Sequence, residues 1–363
     1  MPLTDTLKRF ARVELAAPRY LLPPAAGIDI SASGVKLAVV AERLAGLELV
    51  AFGEERLELG VVASAEPADR QRVADAVRAL AKKHGIRSAS IALPESRSYL
   101  FETDVPGTGR KEWRTAVEPH IDEFVPLPPQ ETAFDVASTG ETDGRTHVVG
   151  VGYASRVIEE SLATLDAAGI AVTAIESETF SLPRALLSAH DTDTVLIIDI
   201  GRTTTKLMIV EKRLPRFATT LDIGGHALTL AVVKHFGVSE EEAKRVKADK
   251  GLVGGAGNEE YLAAMLSTVS AIREEIARRL AYWQARAGEG TGRTPVSRAV
   301  LAGGNATVRG LPEYLETSLR IPVVLGDVFA NLASRDQWLP PIDYMESLAY
   351  ATAIGLALRT HDR

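Results

Sequence analysis

The chain has 363 residues, with 41 Lys and Arg against 48 Asp and Glu, a formal charge of −7 and a pI near 5.6; so acidic a balance excludes a protein that binds nucleic acid by neutralising its phosphates. Without cysteine there is no disulfide, thiolate nucleophile or thiolate-bound zinc, and the seven histidines show no HExxH-type pairing. At 46% hydrophobic residues and with no run of roughly 20 apolar residues, the chain reads as about two folded domains, soluble and cytoplasmic, without a membrane span.

Residues 1–24 form a basic leader: Lys8, Arg9, Arg12 and Arg19 accompany Leu3, Leu7 and Phe10 at helical spacing before Pro23 and Pro24. It either docks on an anionic surface or a partner, or stays a partly ordered tail. Residues 27–40, GIDISASGVKLAVV, read as two buried strands around a polar corner, with Asp29 near the end of the first. A strand over 47–57 follows. A helix from about Pro67 then places Val73, Val77 and Leu80 on one face and stops at Gly85, ahead of a strand over 88–93. These elements make a first α/β unit.

The texture changes over 94–175. Trp113, Val117, Ile121 and Phe124 lie at helical spacing across Pro119, which should kink that helix before the Pro-rich residues 125–129. Strands over 131–138 and 146–154 flank a turn at 139–145. A helix with Val157, Ile158, Leu162 and Leu165 inward stops at Gly169, and a strand over 170–175 follows. The reading is a small α+β insert over 94–175, with the first unit resuming over 176–194.

Residues 195–210, VLIIDIGRTTTKLMIV, repeat the first hairpin. Asp199-Ile200 matches Asp29-Ile30 and Lys206-Leu207 matches Lys36-Leu37, with the same seven-residue step from Asp to Lys. A carboxylate at the end of a buried strand needs a partner for its charge. Gly201 followed by Thr203, Thr204 and Thr205 offers backbone N–H groups and hydroxyls at the turn, and a phosphate with its magnesium ion is the natural occupant. Either copy alone is also satisfied as an ordinary hairpin with a solvated Asp; the paired spacing favours a clamp that grips a polyphosphate from both sides.

A strand over 216–221 leads through Gly224 and Gly225 into a helix over 226–236, and Ser239 with Glu242 caps the next helix, whose acidic start precedes Lys244, Arg245 and Lys247. The glycine-rich residues 251–258 follow no strand, as a phosphate loop would, and read as a connection. The longest helix covers about 259–287, with Leu262, Leu266, Val269, Ile276 and Trp283 facing a core. A strand over 298–301 runs into Gly303, Gly304 and Asn305, which form either a backbone shelf under a flat ring or phosphate or a plain helix-start turn. A strand over 321–325 and a small-residue helix over 344–358 complete the pattern.

Residues 29–36, 199–205 and 301–314 (LAGGNATVRGLPEY) resemble, in order and spacing, the phosphate-1, phosphate-2 and adenosine motifs of the actin/Hsp70/sugar-kinase ATPase superfamily. Within it, residues 92–96 (ALPES), 124–128 (FVPLP), 221–229 (LDIGGHALT) and 350–358 (YATAIGLAL) are similar to the PilM family of type IV pilus assembly, with cell-division FtsA as its nearest relative. The resemblance runs from Ala26 to Arg359. It implies a duplicated two-lobe α/β fold of the actin/Hsp70-like kind with an FtsA/PilM-type α+β insert. The first lobe would be 25–93 with 176–194 and the helix at 340–360, and the second 195–339. The resemblance further implies ATP and Mg2+ as cofactors. Asp29 and Asp199 would face the metal, and Lys36 would reach the phosphates beside Ser31 and Ser33. Gly201, Thr203, Thr204 and Thr205 would line the opposite wall, and Gly303, Gly304, Asn305 and Lys247 would border the nucleoside. Glu178, two residues beyond Glu176, falls where the superfamily orients the attacking water; a solvated glutamate at a helix start fits that position as well.

The same resemblance implies a partner: the N-terminal cytoplasmic peptide of a PilN-type inner-membrane protein, held in a groove beside the insert and recruiting the chain to the inner face of the cytoplasmic membrane. Pilus motor ATPases and self-association are further expectations. The competing expectation is an ATP-hydrolysing, filament-forming protein of the FtsA or actin kind; no amphipathic helix follows Arg359, which favours the pilus reading. Three departures from the family pattern point to slow or absent hydrolysis: Ser31 replaces a glycine, Arg202 a small residue, and Lys244 a glutamate that accepts from ribose.

Overall fold

In a computed structural model of the chain, the structure describes residues 24–361 apart from 64–65, 68, 108, 256 and 289–292. The basic leader, but for its last residue, lies outside the described residues.

The first apolar repeat becomes β1 (Ala25–Ser31) and β2 (Gly34–Arg43), antiparallel with Asp29 opposite Lys36, and β3 (Gly46–Arg56) continues the meander. A short ribbon of β4 (Val62–Ala63) and β5 (Glu66–Pro67) precedes α1 (Arg70–His84). The helix starts beyond Pro67 because Asp69 caps it, its carboxylate accepting from the Arg72 amide at 3.1 Å. Gly85, left-handed, ends it, and β6 (Ser88–Leu93) lies parallel to β1.

Beyond a 3-10 turn at Glu95–Arg97, β7 (Tyr99–Val105) is a strand that the sequence reading lacked. The kinked helix is α2 (Arg110–Val117) and α3 (Ile121–Phe124), with a 3-10 turn holding Pro119 between them. β8 (Thr132–Thr142) and β9 (Arg145–Ala154) reach further than expected, because Asp143 (φ 53°) and Gly144 (φ 72°) close the hairpin in two residues. Ordered β7-β9-β8, these strands form a sheet of their own. After α4 (Ser155–Ala168), β10 (Ala171–Ser177) runs parallel to β6 in the first sheet, and Leu165 and Ala168 share a core with Val73, Val77 and Leu80. Leu162, expected inward, is 40% exposed, outside the buried stripe of Val157, Thr164, Leu165 and Ala168.

α5 (Glu178–Leu186) leads to the second repeat: β11 (Thr194–Ile200), β12 (Thr205–Glu211) and β13 (Leu214–Leu221), with Asp199 opposite Lys206. α6 (Gly225–Phe236), α7 (Glu240–Lys250) and α8 (Glu259–Gln284) follow. Along α8 the buried side is Met265, Val269, Ile272, Ile276, Leu280 and Trp283, while Leu266 is 44% exposed, against expectation. β14 (Arg298–Ala302) lies parallel to β11 and, after α9 (Leu311–Leu319), β15 (Val323–Leu325) lies parallel to β14. The closing helix is two pieces, α10 (Tyr344–Ser347) and α11 (Ala351–Leu358), joined by a 3-10 turn.

Two five-stranded sheets thus match strand for strand among the described residues: β3-β2-β1-β6-β10 and β13-β12-β11-β14-β15. In each, an antiparallel meander is extended by two parallel strands, the duplicated two-lobe arrangement of the actin-like fold. One core runs continuously from Ala38, Val40 and Leu49 of the first sheet through Leu182 of α5 and Ile354 of α11 to the second sheet. Small residues make that passage possible: a Cβ on Gly355 would lie 1.9 Å from the Ser181 carbonyl oxygen of α5, and one on Gly27 would lie 2.1 Å from that of Ala353. Alanine is the better helix former at an open position, yet Gly355→Ala is expected to destabilise the fold by about 3 kcal/mol through backbone overlap. Urea denaturation checks this, with Gly169→Ala as a comparison at a site with no atom within 4 Å of the new Cβ but with φ 77°.

Candidate functional site

The two corners face each other across a cleft of about 820 Å3. Ser31 and Ser33 line one side, Gly201, Thr203 and Thr204 the other, and Gly303, Gly304 and Asn305 a third. Asp29 and Asp199 lie on the floor, only 7% and 8% exposed, each delivered by the central strand of its sheet.

One lysine stands among the carboxylates of this floor. Lys206 Nζ is 3.5 Å from Asp199 Oδ2 and forms an ion pair with Glu178, the first residue of α5. Burial pushes the Glu178 carboxyl up to about 7 in spite of that lysine. Burial likewise raises Asp29, with Lys36 and Lys206 pulling it back and Asp199 adding to the rise. Desolvation works against the charge on Lys206, but Glu178, Asp199 and Asp29 outweigh it and hold the ammonium above the usual lysine range.

The equivalent lysine of the first repeat is arranged differently. Lys36 Nζ donates to Ser33 Oγ at 2.6 Å and lies 3.6 Å from Glu54, while Ser31 Oγ and Ser33 Oγ are 2.9 Å apart. On the other wall, the Gly201 carbonyl accepts from the Gly225 amide at 3.0 Å and from Asn305 Nδ2 at 2.9 Å, and the Arg202 carbonyl accepts from the His226 amide at 2.8 Å. This corner is therefore pinned to the start of α6. Only glycine fits where the loops meet: a Cβ on Gly225 would lie 1.9 Å from Asn305 Cγ, and one on Gly303 (φ 86°) would lie 2.4 Å from Asp199 Oδ1.

Two more cations face the cleft. Lys247 Nζ donates to Asn305 Oδ1 at 2.8 Å and to the Gly225 carbonyl at 3.0 Å; burial, assisted by Lys244, lowers its pKa to about 8. Arg202 crosses from the second lobe to the first, its Nη1 donating to the Leu57 carbonyl at 3.0 Å and lying 3.4 Å from that of Ala32. Carboxylates below and cations around them suit a polyanion carried with a divalent ion. Among the described residues no group of three His, Cys, Asp or Glu could hold a metal unaided, so a cation here would need phosphate or water oxygens as further ligands.

Residues 27–361 match the family described as type IV pilus assembly protein PilM. The chain belongs to the PilM family. A solved PilM-PilN type IV pilus biogenesis complex contains a chain similar to it, with TM-score 0.77 and 22% identity over 94% of this chain and 99% of that one. Ethanolamine utilization protein EutJ from Carboxydothermus hydrogenoformans is similar at TM-score 0.58 and 16% identity, over 98% of this chain and 97% of that one. MreB 5 of Spiroplasma citri bound to AMPPNP is similar at 0.53 and 14%, over 85% and 94%. At these identities the structures show the shared actin-like fold. Among the described residues of this PilM-family chain, no helix is long and apolar enough to cross a membrane.

Most residues picked out from the sequence converge on the cleft: Asp29, Ser31, Ser33, Lys36, Asp199, Gly201, Thr203, Thr204, Lys247, Gly303, Gly304 and Asn305 all line it. Thr205 does not. Strand alternation turns it away from Lys206, and its buried Oγ1 donates to the Ile223 carbonyl at 2.7 Å. Glu178 is 4% exposed, which overturns the reading of a solvated glutamate, and it stands behind the cleft wall, behind Lys206. Lys206 is the site residue that sequence reasoning passed over; its match to Lys36 in the repeat was the available signal.

Lys247 yields a pH test. Its folded pKa, near 8, lies below the usual lysine value of 10.5. Between those values the unfolded chain holds a proton that the folded chain has released, so this group adds stability as pH rises from 8 to 10.5. Urea denaturation of wild type against Lys247→Met is expected to show wild type gaining about 1–3 kcal/mol relative to the variant across that range.

Proposed function

We propose that this PilM-family protein is an actin-like, nucleotide-binding scaffold of type IV pilus assembly: its cleft takes ATP with Mg2+, and a groove beside the three-stranded sheet takes the cytoplasmic N-terminal peptide of a PilN-type inner-membrane protein. The observation that carries the reading is the duplicated hairpin, which brings Asp29 and Asp199 from separate lobes to one cleft floor ringed by Lys36, Arg202 and Lys247. The cradle fits such a group, since Gly303 leaves no space for a side chain beside Asp199 and the corners present backbone and hydroxyl groups. Asp29 and Asp199 would hold the metal with phosphate and water oxygens, Lys36 and the Gly201–Thr204 corner the phosphates, and Gly303, Gly304 and Asn305 the nucleoside. Bound there, the nucleotide supplies charge that bridges the lobes and favours their closed arrangement.

Partner binding is supported by a cavity of about 410 Å3 where the three-stranded sheet meets the first lobe. Ser96, Arg97 and Tyr99 form one side, Leu127 and Gln130 the Pro-bounded edge, and Ala154 to Val157 the start of α4. Proline at 126, 128 and 129 ends the helix ahead of that edge, and the 3-10 turn Pro129–Glu131 presents Gln130 to the cavity. Capture of the peptide would recruit this protein to the membrane surface, within reach of the pilus motor ATPases.

Calorimetry tests the cleft. Wild type is expected to bind ATP with magnesium, and Asp199→Ala to lose about tenfold or more in affinity; no heat with wild type sinks the nucleotide reading. Steady-state phosphate release is expected to stay at background, because Lys244, paired with Glu240 at 2.7 Å, accepts no hydrogen bond from ribose. Turnover that Glu178→Gln abolishes, or nucleotide-dependent pelleting, would instead support the ATP-hydrolysing filament former. For the groove, fluorescence anisotropy with a synthetic peptide of the PilN-type N-terminus from the same organism is expected to show saturable binding, weakened about tenfold or more by Ala154→Trp. Binding unaffected by that substitution would place the partner elsewhere.

A further inference from the structure

Between the cleft and the groove lies a polar contact made by two side chains that line neither of them. β13 is the edge strand of the second sheet, and from it both Arg216, the extra residue of a bulge between Pro215 and Phe217, and Thr220 reach across to β7 and the turn before it. Arg216 Nε lies 2.7 Å from Glu102 of β7. Thr220 Oγ1 donates to the carboxylate of Glu95, a side chain only 6% exposed at the start of the 3-10 turn. Thr220 stands opposite Lys206 in the β12–β13 ladder, so the strand pair that carries the lysine of the cleft floor also carries the hydroxyl that grips Glu95.

On the far side, the same turn builds the groove. Ser96 and Arg97, directly after Glu95, line it, and the turn is held rigid by Ser98, whose amide and hydroxyl both donate to the Glu95 carbonyl at 2.8 Å. The opposite groove wall is rooted in the same place. Tyr153, immediately before Ala154 and Ser155, is buried and donates to the Pro94 carbonyl at 3.2 Å. Burial holds the Glu95 carboxyl above its usual range, against the pull of Thr220 and Lys206. A buried acceptor of this kind cannot drop its donor without cost, so a shift of β13 must carry the turn with it or break the contact.

We propose that the Thr220–Glu95 hydrogen bond couples occupancy of the cleft to the shape of the partner groove. The inference rests on the cleft and groove readings given above. The two states are contact made, with the groove-wall turn seated on β13, and contact broken, with the turn released. A nucleotide that draws the lobes together favours the first, and by linkage the peptide favours nucleotide binding by the same factor.

The experiment measures affinity for the PilN-type peptide with and without AMPPNP and magnesium, on the full chain. Wild type is expected to show a ratio of about fivefold or more. Glu95→Met, which removes the acceptor, and Thr220→Val, which removes the donor, are each expected to bring the ratio to about one while each ligand alone binds within about twofold of wild type. The double variant is expected to behave as either single one, and Glu95→Gln, which keeps an acceptor oxygen, to retain the ratio. A ratio unchanged in both Glu95→Met and Thr220→Val overturns the inference, as does a Gln variant that behaves like Met. Should Glu95→Met not fold, Thr220→Val carries the comparison. Hydrogen exchange of residues 95–98 gives a readout that needs no peptide: protection on adding the nucleotide is expected in wild type and Glu95→Gln but not in Glu95→Met, and its absence in wild type that still binds nucleotide overturns the inference. Failure of the peptide to bind wild type would sink the partner reading alone, and the exchange result would still decide the coupling.

Discussion

Three carboxylates sit almost out of water around one ammonium group, and the rest of the structure is arranged to keep them there. Asp29, Asp199 and Glu178 each come from a different element, the central strands of the two sheets and the first residue of the helix between them, and Lys206 is the cation that they share. Removing one member of such a set leaves the others uncompensated, at a cost of about 3–5 kcal/mol in buried pairs generally. Burial raises the pKa of Asp29 and of Glu178 even with Lys206 in place, and the neighbouring carboxylates add to the rise. A floor of carboxylates under a rim of cations is the charge pattern on which the nucleotide proposal rests.

That arrangement demands that the lobes approach closely. Gly355 lets α11 lie against the backbone of α5, Gly27 lets β1 lie against α11, and the aliphatic core passes between the sheets without interruption. Closeness also creates cross-cleft contacts that no ligand is needed to make. Arg202 is the clearest: it replaces a small residue of the family pattern, and its guanidinium reaches two carbonyls of the opposite lobe. A side chain already spanning the cleft takes over part of the lobe-bridging role that a nucleotide would have.

β10 pairs with β6, and the three-stranded sheet stands apart, with Glu95 at its root on one side and Tyr153 on the other. Both root residues are buried in the same polar layer as Glu178, which joins the groove to the cleft floor through side chains already committed to structure.

The sequence by itself determined the duplication, because an Asp-to-Lys step of identical length between apolar runs survives in any context, and the register of both hairpins follows from it. It also determined most of the cleft residues, since glycines and hydroxyls at strand corners mark backbone that must approach a ligand. Helix ends at Gly85 and Gly169, the Pro119 kink and the Ser239 cap are local events and were legible for the same reason. Tertiary structure alone decided what depends on partners distant in the chain. β10 and α4 carry patterns compatible with either unit, and only pairing with β6 assigns them; β7 has no clean alternation to announce it. Lys36 and Lys206 are equivalent in the repeat, yet one turns to Ser33 and the other to Glu178, because the charge of a side chain is written in the sequence while the field in which it sits is assembled only by packing.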